Sequence, residues 1–174
     1  MPAQPETHII YDIFSSPLGL LYIIFSDNAL AGIIFSNEVG KSTSSIPHSV
    51  KRIKKGRVPE NFRQQLIDYF EGKLREFKQE VILLSGTEFE KSVWLTLREI
   101  PYGETRSYKW VAERIGKPKA VRAVGRALSK NPIPIVLPCH RVIESDGSIG
   151  GYSSGVERKR RLLNLEYFFS RLLT

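Results

Sequence analysis

The chain has 174 residues, 41% of them hydrophobic and 25% charged, which is the composition of an ordinary globular protein with material for one ample core or two small domains. No apolar run approaches the length of a membrane span, and the N-terminal Met-Pro-Ala-Gln-Pro-Glu lacks the basic start and apolar core of a signal peptide, so a cytoplasmic protein with no membrane contact is expected. One cysteine cannot form an internal disulfide and, with three scattered histidines, does not make a Cys-rich zinc site, so neither metal nor cofactor is expected. The net charge of +8 is unevenly spread: residues 1–87 hold 10 basic against 9 acidic side chains, and residues 88–174 hold 16 against 9. Such asymmetry points to a polyanion, most simply nucleic acid, although a solvated lysine-rich surface gives the same count.

From the N-terminus, three apolar pieces, Ile9 to Phe14, Leu20 to Phe25 and Leu30 to Phe35, are separated by Ser15-Ser16-Pro17-Leu18-Gly19 and Asp27-Asn28. They predict an antiparallel meander. Asn37 to Arg57 is polar, and its run Lys51-Arg52-Ile53-Lys54-Lys55-Gly56-Arg57 reads as a solvated loop rather than a phosphate contact. From Pro59 a helix places Phe62, Leu66, Tyr69 and Phe70 on one stripe, and Gly72 stops it. Val81 to Leu84 is a short apolar piece of strand character.

Ser85-Gly86-Thr87 reads as the boundary between an N-terminal α/β domain, residues 1–84, and a mainly helical domain, residues 85–174. Thr87 with Glu90 forms a capping box opening a helix that runs to Ile100, with Phe89, Val93, Trp94 and Leu97 on its inner face. After the turn at Tyr102-Gly103-Glu104, Ser107 caps a helix whose core positions are Trp110, Val111 and Ile115. Gly116-Lys117-Pro118 interrupts the chain only briefly before a second helix, Lys119 to Lys130, giving a helix-turn-helix pattern. On that second helix Lys119, Arg122, Arg126, Ser129 and Lys130 fall within about 100° of arc, with Val121, Val124 and Leu128 roughly opposite. Ala120, Ala123, Ala127 and Gly125 between them are small enough for close approach to a groove, and Gly125 serves equally well as a helix-packing contact. Asn131 and Pro132 end the helix.

Ile133 to Val142, reading Ile-Pro-Ile-Val-Leu-Pro-Cys-His-Arg-Val, predicts a short interior strand that delivers Cys139 at its end. A thiol beside an imidazole and an arginine can be held partly as thiolate and attack carbon, whereas a lone buried cysteine is more simply a small hydrophobe. Glu144 to Ser148 is a turn, and Ile149-Gly150-Gly151-Tyr152-Ser153-Ser154-Gly155 is a glycine-rich loop with amides free to meet a flat polar ligand edge. A last helix from about Val156 surrounds Glu166 with Leu162, Leu163 and Phe169, so this carboxylate needs a partner, His140 or Arg141.

Together, Arg122-Ala123-Val124-Gly125, Asn131-Pro132, Pro138-Cys139-His140-Arg141-Val142 and Gly150-Gly151-Tyr152-Ser153-Ser154-Gly155 resemble the O6-alkylguanine-DNA alkyltransferase family over roughly residues 87–168. The resemblance implies a ribonuclease-H-like α/β domain with an antiparallel sheet, followed by a helical, winged-helix-like domain carrying the helix-turn-helix. It implies a monomer, without an obligate protein partner, that acts on double-stranded DNA bearing O6-alkylguanine, and on O4-alkylthymine as well. Cys139 is then the acceptor of the alkyl group, and His140 its base through a bridging water, oriented by Glu166. Tyr108 donates to the base, and Asn131 stabilises the turn. Ser153, Tyr152, Val142, Gly150 and Pro134 hold the guanine, with the Ser153 amide on O6 and the carbonyls of Cys139 and Val142 on the exocyclic amine.

The damaged guanine must leave the duplex to reach such a thiol. Arg122 matches the arginine that fills the vacated place, on a helix laid in the minor groove. Ala123, Gly125, Arg126, Ala127, Ser107 and Lys119 complete the expected DNA surface. Arg126 departs from a second glycine common in the family, Gly151 and Ser154 occupy variable positions, and no N-terminal set of zinc ligands is present. Two other readings compete: a binding-only relative that senses damage, against which the presence of Cys139 counts, and a thiol hydrolase built on Cys139, His140 and Glu166.

Overall fold

The computed structural model describes residues 7–36 and 53–172. Strands β1 (Ile9–Ser16), β2 (Gly19–Ser26) and β3 (Ala29–Phe35) form the expected meander, with Phe14 opposite Leu21 and Leu21 opposite Phe35. The β1–β2 turn is tight because Ser16 Oγ donates to the Gly19 carbonyl at 2.6 Å and accepts from the Leu18 amide at 3.1 Å. Alternation sends Phe14, Leu21, Ile23, Phe25 and Ile33 into the main core, while Tyr11 and Tyr22 pair on the other face beside Ile13, Ile24, Ile34 and Ile53.

Part of the basic run forms a fourth strand rather than a loop. Lys54–Lys55 (β4) pairs in parallel with β1 at the sheet edge, giving the order β3-β2-β1-β4. Exposed lysines there discourage further strand addition. Residues 37–52 of the polar stretch, Lys51 and Arg52 among them, lie outside the described residues.

Helix α1 (Glu60–Phe70) buries Phe62, Leu66, Tyr69 and Phe70 against the sheet, as the stripe requires. Gly72, at φ +75°, turns the chain where a β-carbon would come within 2.2 Å of the Phe169 ring. Val81 makes only a single bridge, to Leu30, so no strand forms there.

Helix α2 (Glu88–Thr96) opens with the complete capping box between Thr87 and Glu90. It tightens into a 3₁₀ turn, Leu97–Glu99, instead of remaining α-helical to Ile100, because Pro101 restricts the residue before it. A two-residue strand, β5 (Arg106–Ser107), leads into α3 (Tyr108–Arg114), whose N-terminus is capped by Ser107 Oγ accepting from the Trp110 amide at 3.0 Å.

Helix α4 (Val121–Ser129) completes the helix-turn-helix but starts later than expected. The Ala120 amide donates to the Lys117 carbonyl at 2.9 Å, so Lys119 lies in the turn and not on the helix. Val121 is exposed; the inward face is Val124, Ala127 and Leu128. Trp94 Nε1 donates to the Ala127 carbonyl at 2.7 Å and pins α4 to α2.

The stretch after α4 is not a strand. Prolines 132, 134 and 138 and a left-handed Ile135 (φ 74°) fold residues 132–138 into consecutive turns, closed by Leu137 N donating to the Ile133 carbonyl and Cys139 N to the Leu137 carbonyl. Cys139–Arg141 is a 3₁₀ turn, followed by β6 (Val142–Ile143), which pairs in parallel with β5. Helix α5 (Val156–Leu172) then presents Lys159, Leu162 and Glu166 inward. One continuous core runs from the sheet through α1, α2, α3 and α4 to α5.

Candidate active site

Cys139 is buried in the wall of a cavity of about 540 Å³ that is also lined by Tyr108, Arg122, Gly125, Glu144, Gly151, Tyr152 and Ser153. Three separate pieces of chain converge here for local reasons. The β5–β6 pairing sets the start of α3, and so Tyr108, beside the segment that follows Cys139. Asn131 braces the turn under the thiol: Nδ2 donates to the Leu137 carbonyl at 2.7 Å and Oδ1 accepts from the Ile133 amide at 3.0 Å. Gly150, at φ +71°, brings the loop so close to Tyr108 that a β-carbon there would lie 2.9 Å from the phenol oxygen.

Burial pushes the Cys139 thiol above its ordinary value of 9.0, opposed by the polar groups of Asn131 and Tyr152 beside it and by the charge of Lys159. The expectation of a resting thiolate is therefore corrected. The Arg141 guanidinium is engaged by Glu166 and the Ile100 carbonyl.

Directly behind the thiol turn sits a polar network with no access to solvent. Glu166, 1% exposed, accepts from His140 Nε2 (2.7 Å), Arg141 Nε (2.9 Å) and Arg141 Nη2 (2.9 Å), from the Tyr69 hydroxyl (2.7 Å) and from the Gly103 amide (3.3 Å). Arg141 Nη1 donates to the Ile100 carbonyl at 2.7 Å. Burial alone would raise the Glu166 carboxyl, but His140 and Arg141 outweigh it and hold the group well below the usual carboxylate range. Burial keeps His140 below its ordinary value of 6.5, against the pull of Glu166. The imidazole is thus neutral at neutral pH, with Nε2–H donating to the carboxylate and Nδ1 bare. Nδ1 is buried and has no partner among the described residues.

Of the remaining expected residues, Arg122, Gly125, Tyr152 and Ser153 meet at the cavity with Tyr108. A β-carbon on Gly125 would touch nothing nearer than the Tyr108 ring at 4.0 Å, which favours close approach over helix packing as this glycine's role. Ala123 is half-buried, and Arg126 and Lys119 are exposed beside the cavity helix. Two expectations change. Ala127 is buried and gives its carbonyl to Trp94, so its side chain faces the core instead of DNA. Pro134 is buried in the turn and does not line the cavity. The Ser107 hydroxyl caps α3, as expected.

Sequence reasoning missed Lys159. It is fully buried, and its Nζ donates to the carbonyls of Val142 (2.6 Å) and Gly151 (3.1 Å), 5.8 Å from the Tyr108 ring centroid. Burial pushes it down to about 8, against the pull of Cys139 and Glu144. The Val142 carbonyl expected to receive a guanine amine is thus already occupied by an ammonium. The signal was present: Lys159, Leu162 and Glu166 lie at i, i+3 and i+7, on one helical face. Tyr69, which joins the network from the N-terminal half, and Glu144, on the cavity wall, carried no local signature. Among the described residues no cluster of His, Cys, Asp and Glu could hold a metal ion.

Removing the carboxylate charge leaves Arg141 buried without a counter-ion. Glu166→Gln is expected to lose about 3–5 kcal/mol in urea unfolding; a midpoint unchanged from wild type would show that the network does not support the fold.

Comparisons with known proteins place the chain in a family. The family model for the DNA-binding domain of 6-O-methylguanine DNA methyltransferase matches residues 88–168, and the model for the ribonuclease-like domain of the same enzyme matches residues 9–83. A methylated-DNA–protein-cysteine methyltransferase of Methanosarcina barkeri is 46% identical over 156 residues, covering 90% of this chain and 96% of that protein. One from Mycolicibacterium paratuberculosis is 44% identical over 158 residues, covering 91% and 92%. The crystal structure of Mycobacterium tuberculosis O6-methylguanine methyltransferase superposes with a TM-score of 0.82 at 39% identity, covering 92% of this chain and 93% of that one. A Mycobacterium tuberculosis structure in complex with DNA gives 0.80 at 39% identity, covering 91% and 93%. With an antiparallel-sheet ribonuclease-like domain followed by a helical DNA-binding domain, the chain belongs to the 6-O-methylguanine DNA methyltransferase family.

Proposed function

We infer that this chain repairs DNA directly, as a methylated-DNA–protein-cysteine S-methyltransferase that moves the alkyl group of an O6-alkylguanine irreversibly onto Cys139, once per molecule. The observation that carries the reading is the thiol in the wall of a cavity flanked by Arg122 and Tyr108, with neutral His140 on the Glu166 carboxylate buried behind it.

The attacking sulfur must first lose its proton, because burial favours the thiol. His140 Nδ1 receives it through a bridging water, and the Nε2–H bond to Glu166 stabilises the imidazolium that forms. The sulfur attacks the alkyl carbon in line; the S–C bond forms as the C–O6 bond breaks, and that electron pair leaves on the guanine. Tyr108, raised above its ordinary value first by burial, keeps its proton and serves as the hydrogen-bond donor to the departing base. The Ser153 amide meets O6, while Tyr152 and Gly150 shape the remainder of the base site.

Flipping the guanine into the cavity requires a group to take its place, and Arg122 on exposed α4 stands at the cavity mouth. Ala123 and Gly125 let α4 approach the minor groove, and Arg126 and Lys119 contact phosphates without reading sequence. O4-alkylthymine is a second substrate of the same site. The protein works as a monomer in the cytoplasm, at the nucleoid in a prokaryote, with residues 85–174 carrying both DNA binding and transfer and residues 1–84 forming the other domain. No helix of the described residues is long and apolar enough to cross a membrane.

Incubation with duplex DNA containing O6-methylguanine, followed by intact-protein mass measurement, is expected to show a permanent gain of one methylene at Cys139 that is absent in Cys139→Ala. Folded protein that gains nothing, or that releases the group and turns over as a thiol hydrolase, rules the reading out. The alkylated protein is expected to melt at a lower temperature, since a methyl group added in a packed wall costs about 1–3 kcal/mol; an unchanged or higher melting temperature in fully alkylated protein contradicts this. Because His140 sits below 6.5, its protonated, inactive form appears only in acid. The transfer rate should therefore be level near neutral pH and fall below that value. His140→Gln should lower the neutral rate by roughly 100-fold and leave a rate that climbs only as the thiol ionises in alkali; an unaltered profile in the variant removes His140 as the base.

A further inference from the structure

The loop that carries Ser153 has no regular structure, yet its amide must meet a single oxygen atom. Two consecutive side chains of α5 hold that loop on either side of Ser153. Lys159 takes the Gly151 carbonyl, as described above, and Arg158 Nη1 takes the Ser154 carbonyl at 2.9 Å. The other arms of the Arg158 guanidinium leave the C-terminal half altogether. Nε donates to the Leu18 carbonyl in the β1–β2 turn at 3.3 Å, and Nη2 donates to the Ser36 carbonyl at the end of β3 at 2.7 Å. Its carbon lies 5.0 Å from the Phe35 ring centroid, within cation–π range.

We propose that Arg158 is a positioning residue for alkyl transfer, through which the N-terminal sheet fixes the base-holding loop by way of the Ser154 carbonyl. The rigid planar fork of arginine suits this task, because three carbonyls from three segments are bound by one group whose nitrogens keep fixed spacing. The β1–β2 turn and the end of β3 are anchored in a hydrogen-bonded sheet, so they give the loop a stationary reference. The N-terminal half thereby contributes to chemistry without touching the substrate. Arg161 supplies an internal comparison: Nη2 donates to the Pro17 carbonyl at 2.7 Å across the same seam but makes no bond to the loop.

The proposal rests on the alkyl-transfer reading, so its test has one arm that depends on activity and one that does not. Single-turnover transfer from O6-methylguanine duplex is measured over a range of DNA concentrations for wild type, Arg158→Met, Arg158→Lys and Arg161→Met. Arg158→Met should lower the limiting rate constant about 10-fold while DNA affinity stays within about 2-fold. Arg158→Lys, which keeps the charge and can bind one carbonyl, should fall between it and wild type, and Arg161→Met should match wild type. Amide hydrogen exchange should rise at residues 150–155 in Arg158→Met and not in Arg161→Met. A limiting rate and loop exchange equal to wild type in Arg158→Met overturn the proposal. So does an equal rate loss in Arg161→Met, which would assign the effect to the seam as a whole. Should Arg158→Met fail to fold, Arg158→Lys decides: wild-type rate and exchange refute the role, and a slower rate with faster loop exchange supports it. A wild-type chain that takes up no methyl group sinks the alkyl-transfer reading, while the exchange arm still decides what holds the loop.

Discussion

A single buried carboxylate organises this molecule. Glu166 on α5 gathers the hydroxyl of Tyr69 from α1, the amide of Gly103 from the turn before β5, and the side chains of His140 and Arg141 from the thiol turn. An ionised group in a dry interior is tolerable only when its oxygens are fully satisfied, and five donors achieve that. The same requirement fixes three segments relative to one another, so the place of Cys139 is set by an electrostatic demand several residues away from it. That the first donor comes from the sheet-packed helix α1 makes the N-terminal half part of the site's foundation as well as its neighbour.

Burial acts on five titratable groups around the sulfur in the direction that favours neutrality. The Cys139 thiol and the Tyr108 and Tyr152 phenols are raised, and His140 and Lys159 are lowered, with desolvation the largest cause in each case. For a protein that spends itself in one reaction this has a physical logic. A standing thiolate would react with any electrophile that diffused past, whereas a neutral thiol becomes a nucleophile only when a neighbouring base takes its proton, the part proposed for His140.

Most of the architecture was legible in the residues because each element obeyed a local rule. Period-two alternation with tight turns gave the meander, the Phe62-Leu66-Tyr69-Phe70 stripe gave α1, and the Thr87–Glu90 box and Ser107 gave the starts of α2 and α3. The failures share a cause. Residues 132–138 look like a buried strand by hydrophobicity, but three prolines remove amide donors, and the left-handed Ile135 lets the turns close on themselves. Apolar content specifies burial there and says nothing of backbone path. Ala127 was misplaced because alanine fits either face of a helix, and only the meeting with Trp94 decides which. Lys159 was overlooked because its partners are backbone carbonyls, which have no sequence identity. The pairing of Glu166 with His140 and Arg141 was legible because an isolated acid on an apolar face demands cations, whereas Tyr69, 97 residues away, could come only from the fold.

Under the proposed function, Cys139 and the helix that would meet DNA form one mechanical unit. Helix α4 ends at Ser129, and two residues on, the Asn131 side chain grips both ends of the turns that lead to Cys139. The inward face of α4 is locked to α2 through Val124, Leu128 and the Trp94–Ala127 bond, so the helix cannot shift without moving the thiol's support. Reactions that need in-line geometry lose rate steeply with small misplacements. In the proposed reaction, joining Arg122, which would address the duplex, to Cys139, which would receive the alkyl group, through one helix end keeps the distance between the two tasks fixed when DNA binds. A more flexible link between the groove helix and the thiol would permit extrusion of the base without guaranteeing its delivery.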